Sequence, residues 1–401
     1  MRRVLALVLC AGVMAGAFAT KSRVLSMGKH DAFFMDETSI FRNPANISIY
    51  PNLLMGSYGE YRVLKEDTAG GNFAALRRSN RDPRDPFFGA VLSYSLQQSS
   101  EEGSQYPMLS LGAVVNRKDP LLGIVRSADA GVGVDFLDPV GKVDLMLSYA
   151  LPGGGMIGVG SYIAFQKEQR NNRVHSQTNL YRGTIGMNWP VARTMDLEAS
   201  LGVSSLTATG ITIDGGDQYN LADNDITFEG DVRLFSALTS LNGDFVPQAS
   251  VKYGQLLEGD KDFVNVAGGI GLNINIDKGF FWAGLQGLYE RETQKGADDR
   301  DAIGGRISFG IERNVVWDWL VVRVGGKKTV KYVTEGTREY WEENPEHDAD
   351  NDMVGLGIGL NVENRLRFDI LVAEDVVHTL TNLISGPQHH IFTRIDATFS
   401  F

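Results

Sequence analysis

Cysteine is nearly absent from this 401-residue chain: Cys10 is the only one, which excludes an intrachain disulfide and a thiolate metal centre. Beyond Thr20 no run of 18 or more apolar residues occurs, so that stretch holds no transmembrane helix. Positive charge is also short. Thirty-eight Lys and Arg stand against 49 Asp and Glu, for a formal net charge of −11, and nucleic acid is not expected as a partner. There is no G-x-S-x-G and no H-E-x-x-H, so no catalytic residues and no enzyme activity are expected. Proline is sparse at 12, whereas 46 glycines, 20 phenylalanines and 13 tyrosines suit strands joined by turns. A mean hydropathy of −0.13 alone would suggest a soluble protein. A membrane barrel averages to the same value, because half of each strand is polar.

What is present lies first at the two ends. Met1-Arg2-Arg3, an almost wholly apolar Val4 to Phe18 and Ala17-Phe18-Ala19 read as a secretory signal over residues 1–19, with Thr20 as the mature N-terminus. A lipoprotein signal at Cys10 is disfavoured, since bulky Leu9 precedes it. The last residues alternate. Ile391, Thr393, Ile395, Ala397, Phe399 and Phe401 share one face, and Phe392, Arg394, Asp396, Thr398 and Ser400 the other. Together these ends predict a β-barrel in a bacterial outer membrane, with a lipid-facing exterior and a polar interior. Outer-membrane lipid is then one partner, and the barrel-assembly machinery another, through the C-terminal strand.

The interior repeats this theme. Between Met353 and Ala373, Val354, Leu356, Ile358, Leu360 and Val362 face one way and Gly355, Gly357, Gly359 and Asn361 the other. Past Glu363-Asn364 the pattern resumes with Leu366, Phe368, Ile370 and Val372 opposite Arg365, Arg367 and Asp369, which predicts a hairpin. Alternation is also clear in 143–151, 157–165, 195–203, 226–234, 264–276 and 303–311. It is weaker in 53–65, 86–98, 107–117, 178–189, 244–257, 279–292 and 318–332, which brings the count to 16 strands. Short connections (152–154, 190–194, 277–279, 314–317, 363–364) alternate with long ones (66–85, 118–141, 169–177, 208–224, 333–351, 375–389). Such segregation predicts periplasmic turns at one end and external loops at the other.

Residues 20–51 lack this alternation. They carry Phe33, Phe34 and Phe41, and Asp36-Glu37-Thr38-Ser39 predicts the start of a short helix closed by Pro44. Met27-Gly28, Ala32-Phe33, Asp36-Glu37-Thr38 and Asn43-Pro44-Ala45-Asn46-Ile47 resemble the start of FadL-type transporters and their PorV-type relatives. The far end is similar too, from Asp318-Trp319-Leu320 through the glycine-alternating strand at 353–362. The resemblance implies an all-β, transmembrane antiparallel up-and-down barrel (residues 52–401) of about 14 strands, against the 16 counted above. It implies a plug in the lumen (residues 20–51) with the motif Asn43, Pro44, Ala45. It also implies passage of small, hydrophobic solutes, or in the PorV branch a non-transporting barrel with an envelope protein partner in secretion. The long helical loop insertions of the transporters are not evident.

Other motifs read as structure. Gly153 to Gly158 satisfies G-x-G-x-x-G but precedes a strand, so no dinucleotide cofactor is expected. Asp348-Ala349-Asp350-Asn351-Asp352 lacks the Gly and Glu of a calcium loop, and His389-His390 would point to opposite faces, so no metal site is expected. Arg306, Glu312, Arg365, Arg367, Asp369, Arg394 and Asp396 occupy inward positions and are the candidate lumen-lining residues. A charge at the lipid midplane would cost about 2–4 kcal/mol, which drives these side chains inward.

Overall fold

Backbone groups set in hydrocarbon have no water to bond, so a sheet that crosses a membrane must close on itself. This one closes. The computed structural model describes residues 21–28, 31–58, 86–96, 108–122, 134–170, 173–212, 218–256, 261–296, 298–315, 317–343, 353–363, 365–373 and 394–401. Its strands are β1 Leu53–Tyr58, β2 Phe87–Ser95, β3 Met108–Val115, β4 Val134–Asp135, β5 Gly141–Ala150 and β6 Met156–Arg170. Then follow β7 Arg173–Ala192, β8 Met195–Thr212, β9 Gln218–Leu238, β10 Gly243–Leu256, β11 Lys261–Ile276 and β12 Gly279–Gln294. The chain ends with β13 Arg300–Asn314, β14 Leu320–Glu335, β15 Arg338–Glu343, β16 Met353–Val362, β17 Leu366–Ala373 and β18 Arg394–Ser400.

Two of these stand apart from the wall: β4 is a two-residue bridge to β8, and β15 is a hairpin arm on β14. The other 16 form an antiparallel closed barrel, sealed where β1 pairs with β18 from Leu53↔Ser400 to Tyr58↔Ile395. The count from alternation therefore stands, and the 14 implied by the resemblance is corrected. All neighbouring wall strands are hydrogen-bonded. Between β9 and β10 the ladder skips Val246 and Pro247, where proline brings no N–H.

The alternation sorts side chains as a membrane demands. Leu201, Val232, Ile270, Leu285, Ile303 and Ile307 are exposed on the outside, while Arg233, Arg323, Asp369, Arg394 and Asp396 are buried inside. That is the architecture of an outer-membrane barrel. Among the described residues no helix is long and apolar enough to cross a membrane, which says nothing against strands doing so.

Loop lengths depart from expectation in one region. Two residues separate β6 from β7, where a connection over 169–177 was expected, and strands occupy much of 208–224. The expected loop at 333–351 holds β15, turned at Gly336 with φ +58°. The reason is environmental. Only inside hydrocarbon must one strand face be apolar; above it both faces meet water, and a strand then reads as a loop. The connections at 66–85 and 375–389, the signal segment, Asp348–Asp352, His378 and His389-His390 lie outside the described residues.

Arginine at Leu285, 54% exposed on the outer face, should impair assembly by about 2–4 kcal/mol. Arginine at Asn265, on the lumenal face of β11, should be tolerated. Heat-modifiable gel mobility of both variants checks this; equal tolerance would contradict the register.

Candidate functional site in the barrel lumen

The lumen is filled from below by residues 21–28 and 31–50. A short helix, α1 (Lys21–Ser26), leads into two 3-10 turns, Glu37–Phe41 and Pro44–Ser48. Each turn is set by its preceding residue. The Asp36 carboxylate accepts from the Thr38 N–H at 3.2 Å, and the Asn43 side-chain Oδ1 accepts from the Ala45 N–H at 3.0 Å. Proline at the first position of the second turn costs no hydrogen bond, because that N–H would have no partner in the turn. Thus Asn43-Pro44-Ala45 is a capped turn start, and the short helix expected between Asp36 and Pro44 is the single 3-10 turn Glu37–Phe41, with Pro44 opening a second. Asn43, Ala45, Asn46 and Ile47 are fully buried.

Glycines on the wall make room for this segment. A Cβ at Gly271 or Gly284, which pair across β11 and β12, would lie 2.4 or 2.2 Å from the Phe33 ring. At Gly158 it would lie 2.5 Å from the Ala45 nitrogen, and at Gly325 it would lie 2.2 Å from the Met27 carbonyl carbon. Beside these notches Met27, Phe33 and Phe34 pack with Val246 and Trp282. Ile40 and Ile47 pack with Leu53, Met55, Val91 and Val114.

Polar anchors surround these contacts. Arg23 pairs with Glu312 at 2.8 Å and with Asp36 at 2.6 Å. Glu312 also holds Arg323 at 2.5 Å and Arg367 at 3.2 Å, while Asp369 holds Arg323 at 2.7 Å and Arg367 at 3.1 Å. Arg394 pairs with Asp396 at 3.0 Å, and Asp396 accepts from the Ser22 backbone N–H. Arg306 is buried on the lumenal face and donates to Thr329 at 3.3 Å. The structure therefore brings Glu312, Arg367, Asp369, Arg394 and Asp396 against the inner segment. Arg306 lies on the same lumenal face. Arg365 is corrected: it sits in the turn before β17 and is exposed, because the strand begins one residue later.

Sequence reasoning missed the deepest pair. Arg233 and Glu198, with side chains 0% and 1% exposed, meet at 2.6 Å. Arg233 also donates to the Phe34 carbonyl at 2.9 Å, and Glu198 accepts from Asn46 at 3.0 Å. The available signal was a set of charges on the inward positions of both strands, Asp196 and Glu198 in β8 and Glu229, Asp231 and Arg233 in β9.

Above the inner segment the lumen changes character. Tyr162, Ala164, Leu180, Leu206, Ala208 and Phe263 line an apolar cluster. Leu121, Leu122 and Phe136, from the connection between β3 and β5, fill it from within. The Gly153–Gly158 stretch is the turn between β5 and β6 and the start of β6, with Gly153 and Gly154 at φ +106° and +93°.

No family model matches the chain, and no curated protein matches it. Among solved structures it is similar to the "TodX deltaS2S3 mutant monoaromatic hydrocarbon channel", at 11% identity over 95% of this chain and 96% of that one, TM-score 0.39. It is likewise similar to the "TodX monoaromatic hydrocarbon channel deltaS2 mutant", at 11% identity over 94% and 96%, TM-score 0.39.

Valine at Gly284 should push Phe33 out and leave a folded barrel whose inner segment is open to protease. Adding Phe33→Ala should restore protection; protection in Gly284→Val alone would contradict the fit. Arg233→Met should cost about 3–5 kcal/mol in urea unfolding, because it strands Glu198 as a buried charge. Adding Glu198→Gln should recover much of that loss.

Proposed function

We propose that this protein passes small, uncharged hydrophobic molecules across the bacterial outer membrane, with residues 20–51 as a displaceable plug. The observation that carries this reading is the apolar cluster of the upper lumen. A water-filled pore has no use for Leu180, Leu206 and Phe263 on its inner wall. An apolar solute does, since burying such surface is worth roughly 25 cal/mol per Å². The plug is fastened by ion pairs and by glycine notches rather than by the strand ladder, so it can leave without opening the wall. A second reading, a barrel that serves as an outer-membrane partner for an envelope protein, draws on the filled lumen and the hydrogen-bonded wall.

Uptake of N-phenylnaphthylamine across membranes with a lipopolysaccharide outer leaflet tests the two readings. Transport predicts uptake above protein-free membranes, raised severalfold by deletion of residues 22–42. A folded, truncated barrel that admits no more probe than protein-free membranes would overturn transport and favour the partner role.

A further inference from the structure

The lumen is filled twice, by the inner segment below and by Leu121-Leu122 above, and Arg117 stands between the two fillings. Arg117 lies four residues before Leu121, at the start of the connection that carries the two leucines. Its guanidinium lies 4.4 Å from the centre of the Phe41 ring, on the inner segment, and 5.0 Å from that of Tyr162 on the wall. It is fixed to the wall by Asp144, at 2.6 and 2.8 Å, and the Tyr162 hydroxyl donates to its carbonyl at 2.9 Å. Two residues on, Asp119 is fully buried, accepts from the Leu121 N–H at 2.9 Å and pairs with Arg182 at 2.9 Å. The leucines and Ile40 belong to separate apolar clusters. Only a water-sized void of about 20 Å³ remains among Ile40, Phe41, Arg117 and the wall.

We infer that Arg117 couples the two fillings, so that lifting Leu121-Leu122 out of the apolar cluster withdraws the guanidinium from Phe41 and loosens the inner segment. The physical logic is that a bidentate ion pair is strict in geometry, so a backbone displaced together with the leucines cannot keep both the pair with Asp144 and the stack on Phe41. The segment 117–122 is short and pinned at both Asp119 and Leu121, so its residues move together. Displacement of the leucines from above, by an apolar solute under the proposed function, would thereby be felt at Phe41 below. The inference deepens that reading, but its test needs no solute.

Cysteine is placed at Ile40, which is 1% exposed, with Cys10 as the only native cysteine, and its labelling by a water-soluble maleimide is followed in folded, detergent-solubilised barrel. Leu121→Asp with Leu122→Asp, which expels the leucines, should raise the labelling rate about tenfold although neither residue packs in the Ile40 cluster. Arg117→Lys keeps a cation opposite Asp144 but loses the planar stack on Phe41, and should give a similar rise with the leucines in place. Combining the changes should add little, because both break one linkage. Should the aspartate pair not fold, Asp119→Asn frees the same segment more gently and carries the same expectation. Unchanged labelling in the freed variants, or rates that multiply on combination with Arg117→Lys, would overturn the coupling. Failure of probe uptake with coupling intact would instead remove the transport reading alone.

Discussion

Arg233 and Glu198 meet at 2.6 Å with almost no exposed surface, and removing either would leave the other as an uncompensated buried charge at a cost of about 3–5 kcal/mol. That constraint organises the interior. The wall places its charges inward because lipid will not take them, and once inside they must be satisfied by something other than lipid. Residues 21–28 and 31–50 supply much of what is needed: Arg23 for Glu312, Asn46 for Glu198, the Phe34 carbonyl for Arg233 and the Ser22 N–H for Asp396. The glycine notches at 158, 271, 284 and 325 serve the same end, since they let backbone and rings come close enough for those bonds to form.

Below, the lumen is ionic and notched; above, on β6 to β9 and β11, it is apolar and filled by leucines from a connecting segment. Both halves combine ion pairs with apolar contact, but the side chains of Leu121 and Leu122 themselves are held by apolar contact. Charge pairing is geometrically strict and costly to break one partner at a time. Apolar contact is indifferent to what fills it, so the upper half is the part that another apolar group can replace. Among the described residues the wall stays hydrogen-bonded from strand to strand, with a gap near Pro247 and register shifts in the β6–β7, β7–β8, β8–β9 and β16–β17 ladders, and a passage would depend on the filling more than on the wall.

The wall was legible strand by strand. Each of the 16 alternating segments falls on a wall strand, including weak ones such as 86–98 and 244–257, because lipid outside and polar filling inside force a period of two. The rule lapses where lipid ends, which is why 169–177 read as a loop and extends two strands instead. Arg365 was misplaced for a related reason: alternation gives the face of a residue but not where the strand begins.

Sequence alone thus determined the barrel, its strands and which face of each turns inward, because each follows from a local pattern imposed by a uniform surrounding. Only the tertiary structure decided who meets whom inside. Glu198 finds Arg233 thirty-five residues away, Arg23 finds Glu312, and Arg117 reaches Phe41. Such pairings depend on how a closed wall brings distant strands around one segment. No periodicity records them, since any inward arginine would fit the pattern equally well.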